Sequence, residues 1–239
     1  MRLILCTGAA SDRGPVRELN EDAYHAGPAL VAVADGVGGL PAGEVASAIA
    51  IRALVPLGSG GPPDDPAGAL RTAVDTASRW IREAVAADRT LAGMGTTLTA
   101  LLLAGDRAAV AHIGDSRAYL LRDRDLTRVT RDDTYVQLLV DGGVISPEEA
   151  RRHAQRSLVT RALHGTPEPP AVTPVTPETG DRFLLCSDGL SDVVDDDAIG
   201  HALREYAEPK HCAEQLVKLA LRAGGPDNVT AIVADVAAD

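Results

Sequence analysis

The organising stretch of this chain is LVAVADGVGG, residues 30–39. Its five leading apolar residues are typical of a buried strand, which ends at Asp35 beside a glycine. Two later segments, CSDGL at residues 186–190 and PDNVT at residues 226–230, also place an aspartate beside an apolar run and a turn residue. The short arm of an aspartate keeps its carboxylate close to the backbone. We therefore expect three carboxylates to be held at the ends of three strands.

These carboxylates point to a bound cation if the fold brings them together. Asp35, Asp188 and Asp227 would repel one another strongly at one point unless a cation lay between them. Oxygen-only ligand sets suit hard divalent ions such as Mg²⁺ and Mn²⁺. Each aspartate alone is equally well explained as a turn or helix-cap residue. Together they predict a metal site assembled from distant parts of one fold.

Length and composition allow one large acidic domain or two small ones, and the lack of a long linker favours one. The 239 residues are 45% hydrophobic, which is enough for a large core, and no linker is long enough to divide the chain. Only 3% are aromatic, so the core is expected to consist of Ala, Val, Leu and Ile. The formal net charge of −11 argues against nucleic acid or an anionic membrane as the main partner.

The cysteines indicate a reducing compartment. Cys6, Cys186 and Cys212 are odd in number and widely spaced, so we expect reduced thiols, with Cys6 and Cys186 packed in the interior. Residues 1–5 are too short for a signal-peptide core, and no apolar run reaches membrane-spanning length. We expect a cytoplasmic protein without a membrane segment, while origin from a membrane-tethered parent stays open.

Local patterns predict strands in blocks and helices in pairs. Helices are expected over residues 41–54 and 67–87, the second capped by Asp65 with Pro66 at its first position. Residues 96–103, 108–113 and 116–121 are predicted to form an antiparallel meander. Further helices are predicted at 133–140 and 209–222, with a capping-box helix start at Ser146 and another helix starting at Asp195–Asp197. Residues 173–181 are predicted to be a loop or edge segment, and residues 183–186 and 228–236 to be strands. This distribution predicts an α+β layered fold.

The segment SDRGPVRELNED, residues 11–22, resembles the opening motif of the metal-dependent protein serine/threonine phosphatases, the protein phosphatase 2C family, in its bacterial form. Residues 137–165 look like the mobile flap of that family. One such motif is a weak signal, whereas six in the same order are highly specific. The other five motifs are DGVGG at 35–39, GMGTT at 93–97, GDSR at 114–117, SDGL at 187–190 and DNVT at 227–230.

The resemblance implies a four-layer α-β-β-α sandwich, in which two antiparallel sheets are flanked by helix pairs. It implies one catalytic domain over residues 1–239, with a flap subdomain at about 131–165, and a metal centre at one end of the sandwich. The implied cofactors are two Mn²⁺ or Mg²⁺ ions, with room for a third. The implied activity is hydrolysis of phosphoserine and phosphothreonine in proteins by metal-activated water. The implied partners are phosphorylated proteins, including a serine/threonine kinase or its substrates, and we expect a monomer.

The resemblance also assigns roles to individual residues. Arg17 is expected to bind the substrate phosphate, because its planar guanidinium can donate two parallel hydrogen bonds. Arg17, Asp35, Asp188 and Asp227 are therefore the expected catalytic residues. The implied metal ligands are Asp35, bridging two ions, the Gly36 carbonyl, Asp188 and Asp227, with Glu21 and Asp22 acting mostly through bound water and Asp115 helping Asp188 to hold a third ion.

One departure from the family pattern concerns the general acid. Many members carry a histidine in or just after the Asp-Gly-x-Gly-Gly motif, where this chain has Val37 and Leu40. His112, His153 and His164 are present, but the sequence does not place them at the site. We therefore predict hydrolysis without a dedicated histidine acid.

Two other functions are compatible with the sequence: a non-catalytic pseudophosphatase that binds phosphoproteins, and a hydrolase of small phosphate esters. The intact Asp35, Asp188, Asp227 and Arg17 argue against the first, since a binder needs no full ligand set. The polar segment over residues 131–165 argues mildly against the second, because such a segment can shape a protein-binding groove.

Structural roles compete with some of these assignments. Arg17 is also consistent with a plain surface arginine, and Asp115 with a residue that shapes the turn before Ser116. Asp12 is expected to order its loop rather than to bind metal. The acidic run Asp195–Asp197 is expected to cap and begin a helix.

Overall fold

Two antiparallel sheets form the centre of the molecule. The computed structural model describes residues 3–37 and 42–239. Within these ranges the strands are β1 (Leu3–Asp12), β2 (Asp22–Ala26), β3 (Leu30–Asp35), β4 (Leu98–Ala104), β5 (Arg107–Ile113), β6 (Arg117–Arg122), β7 (Asp125–Arg128), β8 (Ala171–Val175), β9 (Arg182–Cys186) and β10 (Val229–Ala238). One sheet has the order β1-β10-β9-β6-β7 and the other β2-β3-β4-β5-β8.

Helices cover the outer faces of both sheets. The helices of the described ranges are α1 (Gly43–Ser59), α2 (Pro66–Ala87), α3 (Tyr135–Asp141), α4 (Pro147–Arg152), α5 (Asp188–Ser191), α6 (Asp196–Glu205) and α7 (Pro209–Arg222), with a 3-10 turn at Arg89–Leu91. Of these, α1, α2, α6 and α7 form the covering layers. None of these helices combines the length and apolar character needed to cross a bilayer.

Three apolar layers hold the sheets and helices together. Side chains such as Val33, Leu101 and Phe183 fill the space between the two sheets. Buried residues of α1 and α2 pack against the sheet that contains β3 and β4. Those of α6 and α7 pack against the sheet that contains β9 and β10. The layers follow the order α-β-β-α, so the predicted α+β sandwich is confirmed.

The spacing of apolar residues along β4 and α2 explains these layers. In β4, Leu101 faces the other sheet while Leu98 and Leu102 face the helices, so the strand needs apolar residues on both sides. In α2, the buried stripe includes Leu70, Val74, Ala77 and Ile81, whose spacing of three or four residues keeps them on one face. A strand covered on both faces and a helix covered on one therefore arise directly from the sequence pattern.

The predicted meander is wrong in its third strand. β4 and β5 pair as expected, but β6 lies in the opposite sheet, between β9 and β7. The chain changes sheets just after Gly114, whose φ of +104° favours glycine. The remaining edge of β5 pairs with β8. A crossover between sheets and a hairpin turn produce the same local alternation of apolar residues, so the sequence does not separate them.

Two predicted helix starts differ in their capping. Asp65 occupies the N-cap position of α2 and Pro66 begins the helix, but the Asp65 side chain makes no capping hydrogen bond. α3 begins at Tyr135 rather than at Asp133, because the Asp133 carboxylate accepts a hydrogen bond from the Gly114 N–H at 3.1 Å instead of continuing the helix. Thr134 caps α3 by accepting from the backbone N–H of Gln137.

Other local predictions hold. Ser146 and Glu149 form the expected capping box at the start of α4, and Asp195 caps α6 by accepting from the Ala198 N–H at 2.8 Å. β8 is an edge strand that carries Pro174, which a central strand would not tolerate. The helix start predicted at Pro41 lies outside the described residues, and α1 continues beyond the predicted end to Ser59.

The cysteines are all free thiols, but one prediction about them is wrong. Cys186 and Cys212 are buried, whereas Cys6 is exposed. Neighbouring residues of a strand face opposite sides, and in β1 it is Leu5 that packs between the sheets. Cys6 therefore faces outward.

Candidate metal centre

Carboxylates from both sheets meet at one end of the sandwich. Asp22 begins β2 and Asp35 ends β3, directly opposite each other in the antiparallel pairing. Asp188 follows β9 as the first residue of α5, and Asp227 lies two residues before β10, the neighbour of β9. The end of one strand and the start of its antiparallel partner lie at the same edge of a sheet. The four aspartates predicted from separate segments are thus brought together.

Asp22 joins the two sheets through hydrogen bonds. Its Oδ2 accepts from Ser187 Oγ at 2.8 Å and from Thr230 Oγ1 at 2.6 Å, both in the opposite sheet or at its edge. Its other oxygen, Oδ1, is buried without a hydrogen-bond partner, as is Oδ1 of Asp188. Two buried carboxylate oxygens therefore have lone pairs that no protein donor satisfies.

Asp35 is fixed by the threonine pair of the GMGTT segment. The Asp35 N–H donates to Thr97 Oγ1 at 3.0 Å, and the Asp35 carbonyl accepts from the Thr97 N–H at 2.8 Å. Thr96 Oγ1 donates to the same carbonyl at 2.9 Å. The N–H and carbonyl of Asp35 are thereby both hydrogen-bonded, which fixes the backbone that carries its carboxylate.

Two glycines permit the close approach of these segments. A Cβ on Gly36 would lie 2.6 Å from the backbone of Gly43 at the start of α1. A Cβ on Gly189 would collide with the carbonyl oxygen of Asn228. The glycine that follows each of Asp35 and Asp188 is therefore a requirement of backbone packing.

Burial and mutual repulsion raise the pKa values of these carboxylates. Burial raises the pKa of Asp22 to about 6. Burial, with Asp192 and Asp227 close by, raises the pKa of Asp188 to about 7. The pKa of Asp35 is raised well above its usual value by burial and by the charges of Asp22 and Asp188. A cluster of this kind favours protons or a metal ion between its oxygens.

The donor set fits hard divalent cations. The carboxylates of Asp22, Asp35, Asp188 and Asp227 supply oxygen ligands, which Mg²⁺ and Mn²⁺ prefer. The partnerless oxygens of Asp22 and Asp188 are the kind of atom that a cation satisfies. In residues 3–37 and 42–239, no three acidic, histidine or cysteine side chains already stand arranged as a metal shell.

Arg17 lies beside the carboxylate cluster. Its Nη2 donates to Asp227 Oδ2 at 2.6 Å, and its side chain remains 40% exposed. This hydrogen bond to Asp227 raises the pKa of Arg17, with smaller contributions from Glu21 and Asp188. Arg17 is therefore held beside the cluster by Asp227, while part of its side chain stays exposed.

Asn228 holds the loop that carries Arg17, a role that sequence reasoning missed. Its Nδ2 donates to the carbonyls of Arg13 at 2.9 Å and Leu19 at 2.8 Å, and its Oδ1 accepts from the Glu21 N–H at 2.8 Å. Asn228 is buried. Its partners lie more than 200 residues away in sequence, so no local pattern reveals them.

The remaining predicted acids lie around this cluster. Asp115 is buried after β5, and burial together with Asp188 and Asp132 raises its pKa well above the usual value. Burial and the charge of Glu44 raise the pKa of Glu21. Asp12 accepts from the Gly14 N–H at 2.8 Å, so it orders its loop as predicted.

His112 is engaged away from the carboxylate cluster. His112 is buried between Thr99 Oγ1, at 2.9 Å from Nδ1, and the Arg131 carbonyl, at 3.0 Å from Nε2. His153 follows α4, and His164 Nδ1 lies against Gly95. Val37 donates its N–H to the Gly95 carbonyl at 3.0 Å, while Leu40 lies outside the described residues.

A family comparison identifies this arrangement. The sequence pattern of protein phosphatase 2C matches residues 16–220. The chain belongs to the protein phosphatase 2C family. The resemblance seen in the six motifs is thereby confirmed.

Curated members of the protein phosphatase 2C family are similar to nearly all of this chain. The serine/threonine protein phosphatase PstP of Mycobacterium tuberculosis is 54% identical over 98% of the chain, which spans 45% of PstP. The chain therefore spans about half the length of that relative. The serine/threonine phosphatase stp of Listeria monocytogenes is 33% identical over 94% of the chain and 93% of its own length.

Solved structures of the family share the fold. The crystal structure of the M. tuberculosis phosphatase PstP superposes with a TM-score of 0.95 at 52% identity, covering 98% of this chain and 100% of that one. A second structure, the PstP catalytic domain in complex with two manganese ions, has a TM-score of 0.93 at 51% identity and covers 99% of this chain and 100% of that one.

Proposed function

We propose that this chain is a metal-dependent phosphatase that hydrolyses phosphoserine and phosphothreonine in proteins. The observation that carries the proposal is the cluster of Asp22, Asp35, Asp188 and Asp227 beside Arg17. It combines buried, partnerless carboxylate oxygens with a guanidinium at the mouth of the site. The phosphatases named PstP and stp, to which the chain is similar, support the same activity.

Two divalent ions, with a third more weakly held, are the proposed cofactors. Asp35, the Gly36 carbonyl, Asp188 and Asp227 would hold the first two, Glu21 and Asp22 would act through water, and Asp115 would help Asp188 with the third. When bound, such ions lower the pKa of water and offset the charge of a phosphate group. The two manganese ions in the PstP structure support Mn²⁺, and Mg²⁺ is proposed on donor chemistry alone.

Arg17 is proposed to bind and orient the substrate phosphate. Asp227 holds the guanidinium at 2.6 Å, and Arg17 lines a cavity together with Glu21 and Asn228. A guanidinium can donate two parallel hydrogen bonds to phosphate oxygens, which fixes the phosphorus relative to the carboxylates. Asn228 maintains this position through the backbone of the loop.

The leaving oxygen is proposed to take its proton from water. In the reaction a water oxygen forms a bond to phosphorus while the bond from phosphorus to the serine or threonine oxygen breaks. Val37 offers no proton, and His112 is buried against Thr99 and Arg131. Catalysis without a histidine acid therefore stays our prediction, and loss of turnover with metal binding retained in a single His→Ala variant would contradict it.

The cellular setting is also a proposal. We propose a monomeric catalytic domain over residues 1–239 that works in cytoplasmic signalling against a serine/threonine kinase or its substrates. Its three free thiols support a reducing compartment. Residues 131–165, which include α3 and α4, are proposed as a flap that helps to shape the groove for protein substrates.

Phosphate release from a phosphothreonine peptide tests the activity. We expect release with Mn²⁺, none with excess EDTA, and a loss of about 100-fold or more in Asp188→Asn. Asp197→Asn is the matched control, because Asp197 is an exposed aspartate in the first turn of α6 and should retain the activity. Folded wild-type protein that binds the peptide but releases no phosphate would indicate a pseudophosphatase. Equal efficiency on small phosphate esters would argue against protein specificity.

A further inference from the structure

The loop over residues 13–20 presents two aliphatic side chains to solvent on either side of Arg17. Val16 is 66% exposed and Leu19 61% exposed. A scattered exposed aliphatic residue is common and needs no explanation. The position of Leu19 is different, because it borders the same cleft as the candidate phosphate-binding arginine.

Among the described residues, Leu19 is the one apolar residue that lines a cavity whose other lining residues are polar or charged. A cavity of about 190 Å³ is lined by Arg17, Glu18, Leu19, Glu21 and Asn228. Val16, equally aliphatic and equally exposed, does not line it. Consecutive Cα atoms are about 3.8 Å apart. If Arg17 binds the phosphate, the residue next to the phosphorylated one therefore lies within reach of the Leu19 side chain, two positions from Arg17.

Hydrogen bonds to the backbone hold Leu19 in this position. Asn228 Nδ2 donates to the Leu19 carbonyl at 2.8 Å and to the Arg13 carbonyl at 2.9 Å. Arg13 Nη1 donates to the Glu18 carbonyl at 3.2 Å. The exposed side chain thus rests on an ordered backbone, and a contact with it does not require the loop to be ordered first.

We propose that Leu19 is a specificity-determining residue that contacts an aliphatic side chain next to the phosphorylated serine or threonine of the substrate. The proposal rests on the phosphatase activity proposed above. Glu18 and Glu21 line the same cavity and carry negative charge, so an acidic residue at that substrate position is disfavoured. The preferred substrate class is a phosphopeptide with an aliphatic neighbour on one side of the phosphoresidue.

A set of phosphothreonine peptides tests this proposal. Each carries one leucine at one of the positions from −2 to +2 in an alanine background, and a second set carries aspartate instead. The quantity compared is the ratio of kcat/KM for the leucine peptide to kcat/KM for the all-alanine peptide. We expect a ratio of about five at one position in the wild type, falling to about one in Leu19→Ala, and aspartate there to give a ratio below one.

Val16→Ala is the matched control and should keep the wild-type ratio. Because each ratio is taken within one variant, a loss of active protein cancels. A wild-type ratio near one at every position would overturn the proposal, as would a ratio that persists in Leu19→Ala or falls equally in Val16→Ala. Absence of phosphate release from every peptide would instead overturn the proposed activity, and the specificity with it.

Discussion

Asp22 and Asp188 each contribute a buried carboxylate oxygen that no protein group satisfies. A buried polar atom without a partner costs about 1–3 kcal/mol, and more when it is charged. Repulsion within the cluster adds to this cost, since Asp22 and Asp188 both act on Asp35. The residues that suit the site for a cation therefore weaken the metal-free fold, as expected where function and stability compete.

Asp188→Asn should stabilise the metal-free protein while it removes activity. The substitution deletes one negative charge, and the new amide can donate a hydrogen bond to Asp35. We expect a gain of about 1 kcal/mol, which raises Tm by about 2–4 °C for a chain of this size. Thermal unfolding in EDTA measures it, with Asp197→Asn as an unchanged control. An equal or lower Tm for Asp188→Asn would contradict the argument that the cluster is strained.

Sequence alone identified the aspartates of this site but not the residues that hold them. Asp35, Asp188 and Asp227 each lie in a local strand–turn pattern, so a short window reveals them. Asn228 acts through partners across the chain, and Thr230 does so through its bond to Asp22. Such roles depend on three-dimensional proximity, which no spacing in the sequence encodes.

At the scale of elements, the short helix α5 lies so close to the segment before β10 that no side chain fits between them. Gly189 is the contact point on α5, and the Asn228 carbonyl is the contact point on the other segment. The same two elements carry Asp188 and Asp227. The separation of these carboxylates is thus set by a backbone contact.

Gly189→Ala should damage the site and the fold together. The added Cβ would force the two elements apart, and overpacking of this kind costs about 3 kcal/mol. Gly61→Ala is the control, because a Cβ at Gly61 has no neighbour within 4 Å. Urea unfolding of both variants measures the difference. A small and equal effect of the two substitutions would show that the contact is not tight.

The element predictions succeeded where a pattern is strong and failed where it is weak. α7 was predicted at its observed bounds, because Pro209 begins it and an amphipathic run follows. β2 and β7 carry only half-buried or exposed residues, so they lack the buried apolar run that marks a central strand. The assignment of β6 to the wrong sheet has a different cause, since the choice of sheet is a tertiary property.

At the scale of the whole molecule, the site spans the boundary between the two sheets. Asp22 and Asp35 belong to the sheet of β2 and β3, while Asp188 and Asp227 flank strands of the other. An ion bound by both pairs links the sheets in addition to the apolar layer between them. Ligands that bind only the folded state raise its stability by mass action.

Manganese should therefore raise the Tm of the wild-type protein in a concentration-dependent way. At a concentration 100 times the Kd, one site contributes about 2.7 kcal/mol. For a chain of this size that corresponds to about 5–10 °C. The shift should be largely lost in Asp188→Asn and retained in Asp197→Asn, as measured by thermal unfolding against a Mn²⁺ series. A shift of equal size in all three proteins would place the metal elsewhere.

The layered architecture was predictable as a whole because six motifs in a fixed order identify one family fold. For the packing within the layers, only the type of side chain was predictable. The scarcity of aromatic residues indicated an aliphatic core, and the layer between the sheets does consist mainly of Val, Leu, Ile and Ala, with Phe183 as an exception. Which side chains meet across the layers depends on register and twist, which the sequence does not state.

The position of β10 has a consequence for folding during synthesis. This strand is the last of the ten described strands in chain order, yet it lies between β1 and β9. As the chain leaves the ribosome, β1 cannot pair with β10 until more than 200 residues have been synthesised. Pairings of such long sequence separation are slow to form. A nascent chain should therefore acquire the complete site only in a final, concerted step of folding.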